Sequence, residues 1–159
     1  MQAIRSVALI LAAACLFGAC EEQAAAPQPK SRIKELYHLN KFEEAFGYAQ
    51  AVRVEDTLYI SGSVAVDADG KLIGPDDMAL QLRAAYENVG RTLKAFKTDF
   101  DHVAKETIYT TDMEALLRES KLRFEFYDRQ NLPASTWVEV KRLVDPGFLV
   151  AIDVTVELP

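Results

Sequence analysis

The chain has 159 residues, half of them hydrophobic and about a quarter charged, with a formal net charge of -6. Its first thirty or so residues do not read as globular, and the remaining length, roughly 120–130 residues, suits one domain with its own core and excludes two comfortable ones. An acidic chain repels phosphates, which argues against a nucleic-acid partner. Both cysteines, Cys15 and Cys20, lie near the N-terminus, so the body of the chain has no thiol for a disulfide or a metal.

Arg5 is the only charged side chain before Cys20, and Val7 to Phe17 is an almost unbroken apolar run. The run is shorter than the roughly 20 residues a membrane-spanning helix needs and fits the apolar part of a signal peptide. Leu16-Phe17-Gly18-Ala19-Cys20 resembles a bacterial lipobox, with Phe17 where that pattern prefers an aliphatic residue. The resemblance implies cleavage before Cys20 and a lipid on it. Residues 1–19 are therefore expected to be a signal peptide, and residues 20–31, polar and rich in Ala and Pro, a tether. A soluble periplasmic form is the alternative. Cut at Cys20, the chain carries 17 basic against 24 acidic side chains. Glu21 stands where an Asp would signal inner-membrane retention, so the outer membrane is expected.

In the body, residues 32–159, Phe46 to Val54 reads as a strand and Leu58 to Val66 as a second, interrupted by Ser61-Gly62-Ser63. Asp69-Gly70 predicts a turn. Gly74-Pro75-Asp76-Asp77 opens a helix, with Pro near its first position and carboxylates in its first turn. Leu82, Tyr86, Val89, Leu93 and Phe96 mark one face of it. Val103 to Thr110 reads as a strand. Thr111 and Glu114 fit a capping box for a second helix reaching about Arg129, with Met113, Leu116, Leu117, Phe124 and Tyr127 inward. Asn131-Leu132-Pro133 ends it. Thr136 to Leu143 is a strand, and Phe148 to Glu157 alternates cleanly as the last. The order predicts an α/β (α+β) fold: one sheet with two helices on one face. No helix remains for the other face, so a second copy of the chain is the simplest cover.

His38 and His102 have no partner at metal-ligand spacing, and no glycine-rich phosphate loop or Ser/His/Asp arrangement is present; no metal or cofactor is expected. Lys94, Lys97 and Lys105 read as a solvated face. Two strand faces carry polar groups. Ser135, Trp137, Glu139 and Lys141 share one, and Ala151, Asp153, Thr155 and Glu157 share the other, at about 6.5–7 Å between successive members. Trp137 has core packing as its plainer reading, and Glu139 a solvent-facing position.

With these elements placed, the chain from about Phe42 to Leu158 resembles the Rid (YjgF-type) reactive intermediate deaminases. Gly47-Tyr48-Ala49-Gln50-Ala51-Val52 is similar to the family's Gly-Pro-Tyr-Ser-Gln-Ala-Val without the Pro, and Tyr59-Ile60-Ser61-Gly62 to its second strand. Leu132 to Val140 lies where the family has Pro-Ala-Arg-x-x-Val-Glu-Val, and Leu149 to Val154 where it has an aliphatic-Glu-Ile-Glu run. The resemblance implies a chorismate-mutase-like fold, a homotrimer with a small-molecule pocket at each subunit interface, and hydrolysis of imines or enamines. It assigns catalytic positions to Tyr48 and Ser61. The family's carboxylate-binding arginine is replaced by Ser135, and its water-positioning glutamate by Ala151. Serine cannot form a bidentate pair with a carboxylate, and alanine cannot orient water. Asp153, on the face of Ala151, is the candidate replacement, and Ser135, Trp137 and Glu139 are candidate substrate contacts. Two functions compete: a diverged imine hydrolase, and a non-catalytic, lipid-tethered trimer of the cell envelope binding a ligand or a protein. Ribonuclease activity, sometimes attached to the family, fits poorly with the acidic charge and an exported location.

Overall fold

The computed structural model describes residues 33–159, so the expected signal peptide, Cys20 and the tether lie outside the described residues. Two elements precede those the sequence predicts: β1 (Ile33–Tyr37) and the short helix α1 (Lys41–Phe46). The strand expected to begin at Phe46 is therefore shorter. Gly47 adopts φ 74° and caps α1, a left-handed conformation that costs glycine little and ends the helix. β2 (Ala51–Val54) starts only after it.

β3 (Thr57–Val64) follows, with a register shift between Ile60 and Ser63. The Ser61-Gly62-Ser63 interruption is thus a bulge. In the Asp69-Gly70 turn, the Asp67 carboxylate accepts hydrogen bonds from the backbone of Asp69 and Lys71. Helix α2 (Met78–Ala95) is capped by Asp77, whose carboxylate accepts from the Leu80 amide at 2.9 Å. Pro75 and Asp76 precede the helix, and its first turn holds no acidic residue. The carboxylate expected inside the helix is used one position earlier, as its cap. Leu82, Tyr86, Val89 and Leu93 are buried as their spacing predicts.

β4 (Val103–Thr110) matches its predicted bounds. Asp112, not Thr111, caps α3 (Met113–Glu119), accepting from the Ala115 amide at 2.8 Å. The second helix stops ten residues short of Arg129 and continues as a 3₁₀ segment, Ser120–Glu125. Within α3 itself Leu116 is buried and Leu117 is 56% exposed, against the expectation for Leu117: successive residues of an α-helix point about 100° apart, and this short helix turns Leu116 to the core. β5 (Ala134–Glu139) begins and ends earlier than predicted, and β6 (Val150–Glu157) closes the chain.

The sheet order is β1-β2-β3-β6-β4-β5. All pairs are antiparallel except β4 with β5, which are parallel because α3 and the 3₁₀ segment return the chain to the same end. Val150, Ile152, Val154 and Val156 meet α2 in a core shared with Leu58, Ile60 and Ile108. Each such side chain contributes about 1.5–3 kcal/mol by leaving water. The expected sheet with its helices on one face is therefore the observed architecture.

Candidate functional site

Where α1 ends, the chain enters a cavity of about 560 Å³ lined by Phe46, Tyr48, Ser61, Gly62, Val144 and Phe148, among others. Ser61 donates to the Ala49 carbonyl at 2.9 Å. Buried Gln50 holds the bulge from behind: its amide donates to the Ser61 carbonyl at 3.0 Å and to the Ser63 hydroxyl at 2.9 Å. Burial, and then the nearby Glu43 carboxylate, raise the pKa of Tyr48 above that of an ordinary tyrosine. Its phenol therefore keeps its proton at neutral pH.

The opposite wall, from Val144 to Phe148, belongs to the loop between β5 and β6. Gln81 fastens that loop to α2. Its amide nitrogen donates to the carbonyls of Gly74 and Gly147, and its Oε1 accepts from the Leu149 amide.

The β5 candidates stand elsewhere. In register, Glu106 pairs with Ser135, Ile108 with Trp137 and Thr110 with Glu139. Ile108 is core, so Ser135, Trp137 and Glu139 look toward the helical side, at the edge of the sheet. Ser135 donates to Glu106 Oε1 at 2.7 Å and receives the Trp137 indole N–H at 2.7 Å. Glu106 also receives the guanidinium of Arg123 and the hydroxyl of Tyr86. Glu139 accepts the backbone N–H of Met113 at the start of α3.

Asp153 occupies the other face. It pairs with Thr107 across β4 and lies opposite the β3 bulge. Tyr109 donates to its Oδ2 at 3.1 Å. A Cβ on Gly62 would stand 3.7 Å from the Cβ of Ala151, so position 151 backs onto the bulge.

Within one copy, then, Tyr48 and Ser61 share the cavity, Asp153 lies behind the bulge, and Ser135, Trp137 and Glu139 stand apart. Three strand spacings of about 4.8 Å separate β3 from β5, or about 14 Å. Gln50, Gln81 and Arg123 carry no signal in local spacing. Glu106 did carry one: it shares a strand face with Ile108, where a charge must be paired. Among the described residues, no cluster of three His, Cys, Asp or Glu side chains could hold a metal ion, and no helix is long and apolar enough to cross a membrane.

Residues 39–158 match the family described as Endoribonuclease L-PSP. A 2-iminobutanoate/2-iminopropanoate deaminase of Mus musculus is 32% identical over 114 residues, spanning 71% of this chain and 84% of the mouse protein. A crystal structure of a member of the YjgF/YER057c/UK114 family from Mycobacterium tuberculosis superposes with a TM-score of 0.67 at 25% identity, covering 78% of this chain and 98% of that one. RidA from the Antarctic bacterium Psychrobacter superposes with a TM-score of 0.65 at 25% identity, covering 70% and 89%.

Proposed function

Because this chain belongs to the endoribonuclease L-PSP family, the Rid/YjgF proteins, we propose that it is an exported imine or enamine hydrolase whose small-molecule pocket is completed between copies. The observation that carries the reading is the division of the candidate residues. The cavity with Tyr48 and Ser61 lies on β3, and Ser135 and Trp137 lie about 14 Å away on an edge strand exposed along most of its length. A homotrimer would bring the β5 edge of one copy against the cavity of the next.

Hydrolysis adds water to the imine carbon, breaks the C–N bond and releases ammonia. Tyr48, protonated at neutral pH, donates a hydrogen bond toward the departing nitrogen. Ala151 offers no carboxylate, and Asp153, on the same strand face, is the acid available to orient water. The deaminase name of the mouse relative supports the reaction class. RNA cleavage is not proposed, because the chain is acidic.

The apolar run from Val7 to Phe17 and the lipobox-like segment from Leu16 to Cys20 support export and a lipid anchor in the cell envelope, the outer membrane more than the inner. The test is ammonia release from a 2-imino acid and from an uncharged aryl imine by the full chain, each against its spontaneous decay. Acceleration of either that disappears in Tyr48→Phe or Asp153→Asn supports the enzyme. Background rates throughout favour the second reading, a lipid-tethered binding trimer. The internal commitment of Ser135 and Glu139 to other protein groups supports that second reading.

A further inference from the structure

Glu106 is fully buried in β4, at the centre of a cluster the cavity does not use. Its Oε1 accepts from Ser135 and from Arg123 Nη2, and its Oε2 accepts from the Tyr86 hydroxyl at 3.1 Å. The guanidinium of Arg123 lies 5.7 Å from the ring centre of Trp137. Burial alone would disfavour its charge, and Glu106, with Tyr86, outweighs that effect. The Arg123 Nε is buried and has no hydrogen-bond partner among the described residues. Position 135 thus has no arginine of its own, yet a guanidinium stands beneath it, joined to a carboxylate of opposite charge.

This arrangement has chemical consequences for anything resting on Ser135 and Trp137. The Ser135 proton is given to Glu106, so the serine has no donor left for a carboxylate. The guanidinium and the buried carboxylate act on an external charge with opposite sign, so the pair attracts an anion far less than arginine alone would. The indole still offers its face to a flat, unsaturated ligand.

We propose that Glu106 is a specificity-determining residue: by cancelling Arg123 beneath Ser135 and Trp137, it makes this surface accept uncharged, ring-bearing imines and refuse carboxylates. The inference deepens the reading above and rests on it, since it takes β5 to face the ligand.

Trp137 is the only tryptophan in the chain, so its emission reports on this surface alone. The full chain is compared with Glu106→Gln and with the double variant Glu106→Gln/Arg123→Met, using iodide, caesium and acrylamide as quenchers. Glu106→Gln uncovers the guanidinium and should raise the iodide-to-acrylamide quenching ratio about twofold or more. The double variant should return it to the wild-type value. Benzamide and benzoate, titrated on the same emission, give the ligand class: the wild type should prefer benzamide, and Glu106→Gln should bring benzoate up to it. If Glu106→Gln does not fold, Arg123→Met carries the test and must move quenching toward caesium.

An unchanged ratio in folded Glu106→Gln, or a wild-type preference for benzoate, overturns the inference on its own ground. Failure of every variant to bind either probe, with the iodide ratio still raised, overturns the reading that β5 holds a ligand, and the inference with it.

Discussion

The amide nitrogen of Gln81, in α2, donates a 2.8 Å hydrogen bond to the carbonyl of Gly147, in the loop that walls the cavity. The same side chain serves Gly74 and Leu149, and it is completely buried. Gln81→Leu keeps the volume but strands three backbone groups. Each unsatisfied group costs about 1–3 kcal/mol, so the expected loss is about 3 kcal/mol or more, read as a lower urea midpoint. Ligand affinity at the cavity should weaken too, because its wall loses its tie to α2.

Ser135→Ala removes one donor from the buried Glu106 carboxylate and the acceptor of the indole N–H. A hydrogen bond to a charged group is worth about 1.5–3 kcal/mol; the exposure of Ser135 places the loss at the lower end. Urea unfolding should show it, with a shift of the Trp137 emission in the native baseline. A native spectrum identical to wild type would mean that the indole is not held by Ser135 in solution.

Alkaline stability follows from Tyr86 and Tyr127. Burial, and then the Glu106 charge, raise both phenols far above their ordinary value. In the unfolded chain they release protons near pH 10, whereas in the native state they do not. Their contribution is therefore complete below pH 10 and is lost as pH rises beyond it. Stability should fall by about 1.4 kcal/mol per pH unit for each tyrosine. Denaturant midpoints measured from pH 8 to 11 should be flat at first and then drop, with a shallower drop in Tyr127→Phe.

Gly74 has φ 63°, and a Cβ there would come within 2.6 Å of the Leu80 Cβ. Gly74→Ala adds that clash to the left-handed backbone penalty and should cost about 2 kcal/mol or more. Gly47, at φ 74°, has open space around a Cβ; Gly47→Ala should cost only the backbone penalty, about 1–2 kcal/mol. Thermal midpoints of the two variants test the order.

Membrane association of the full chain should depend on Cys20. Cys20→Ser is expected to move the protein to the soluble fraction, and fractionation unchanged from wild type would rule out the lipid anchor.

Much of the framework was legible in the sequence, because period alone reveals a face. The spacing of Leu82, Tyr86, Val89 and Leu93 marked the buried stripe of α2, and the alternation from Val150 to Val156 marked β6. Tyr48 and Ser61, picked out through the family resemblance, do line one cavity. Other features depend on long-range contact. β1 is defined by pairing with β2, which its own five residues do not announce. The end of α3 at Glu119 and its change to 3₁₀ geometry are not marked by spacing either, and packing against the core decided that Leu116, not its neighbour Leu117, faces inward. Most of all, alternation shows that Ser135, Trp137 and Glu139 share a face, and that Ala151 and Asp153 share one. It cannot show that these are opposite faces of the sheet. The parallel register of β4 with β5 decided that, since it sets Trp137 beside the core residue Ile108 while Asp153 pairs with Thr107 on the other side. A strand carries its two faces in its sequence, but only its neighbours determine which face meets the core.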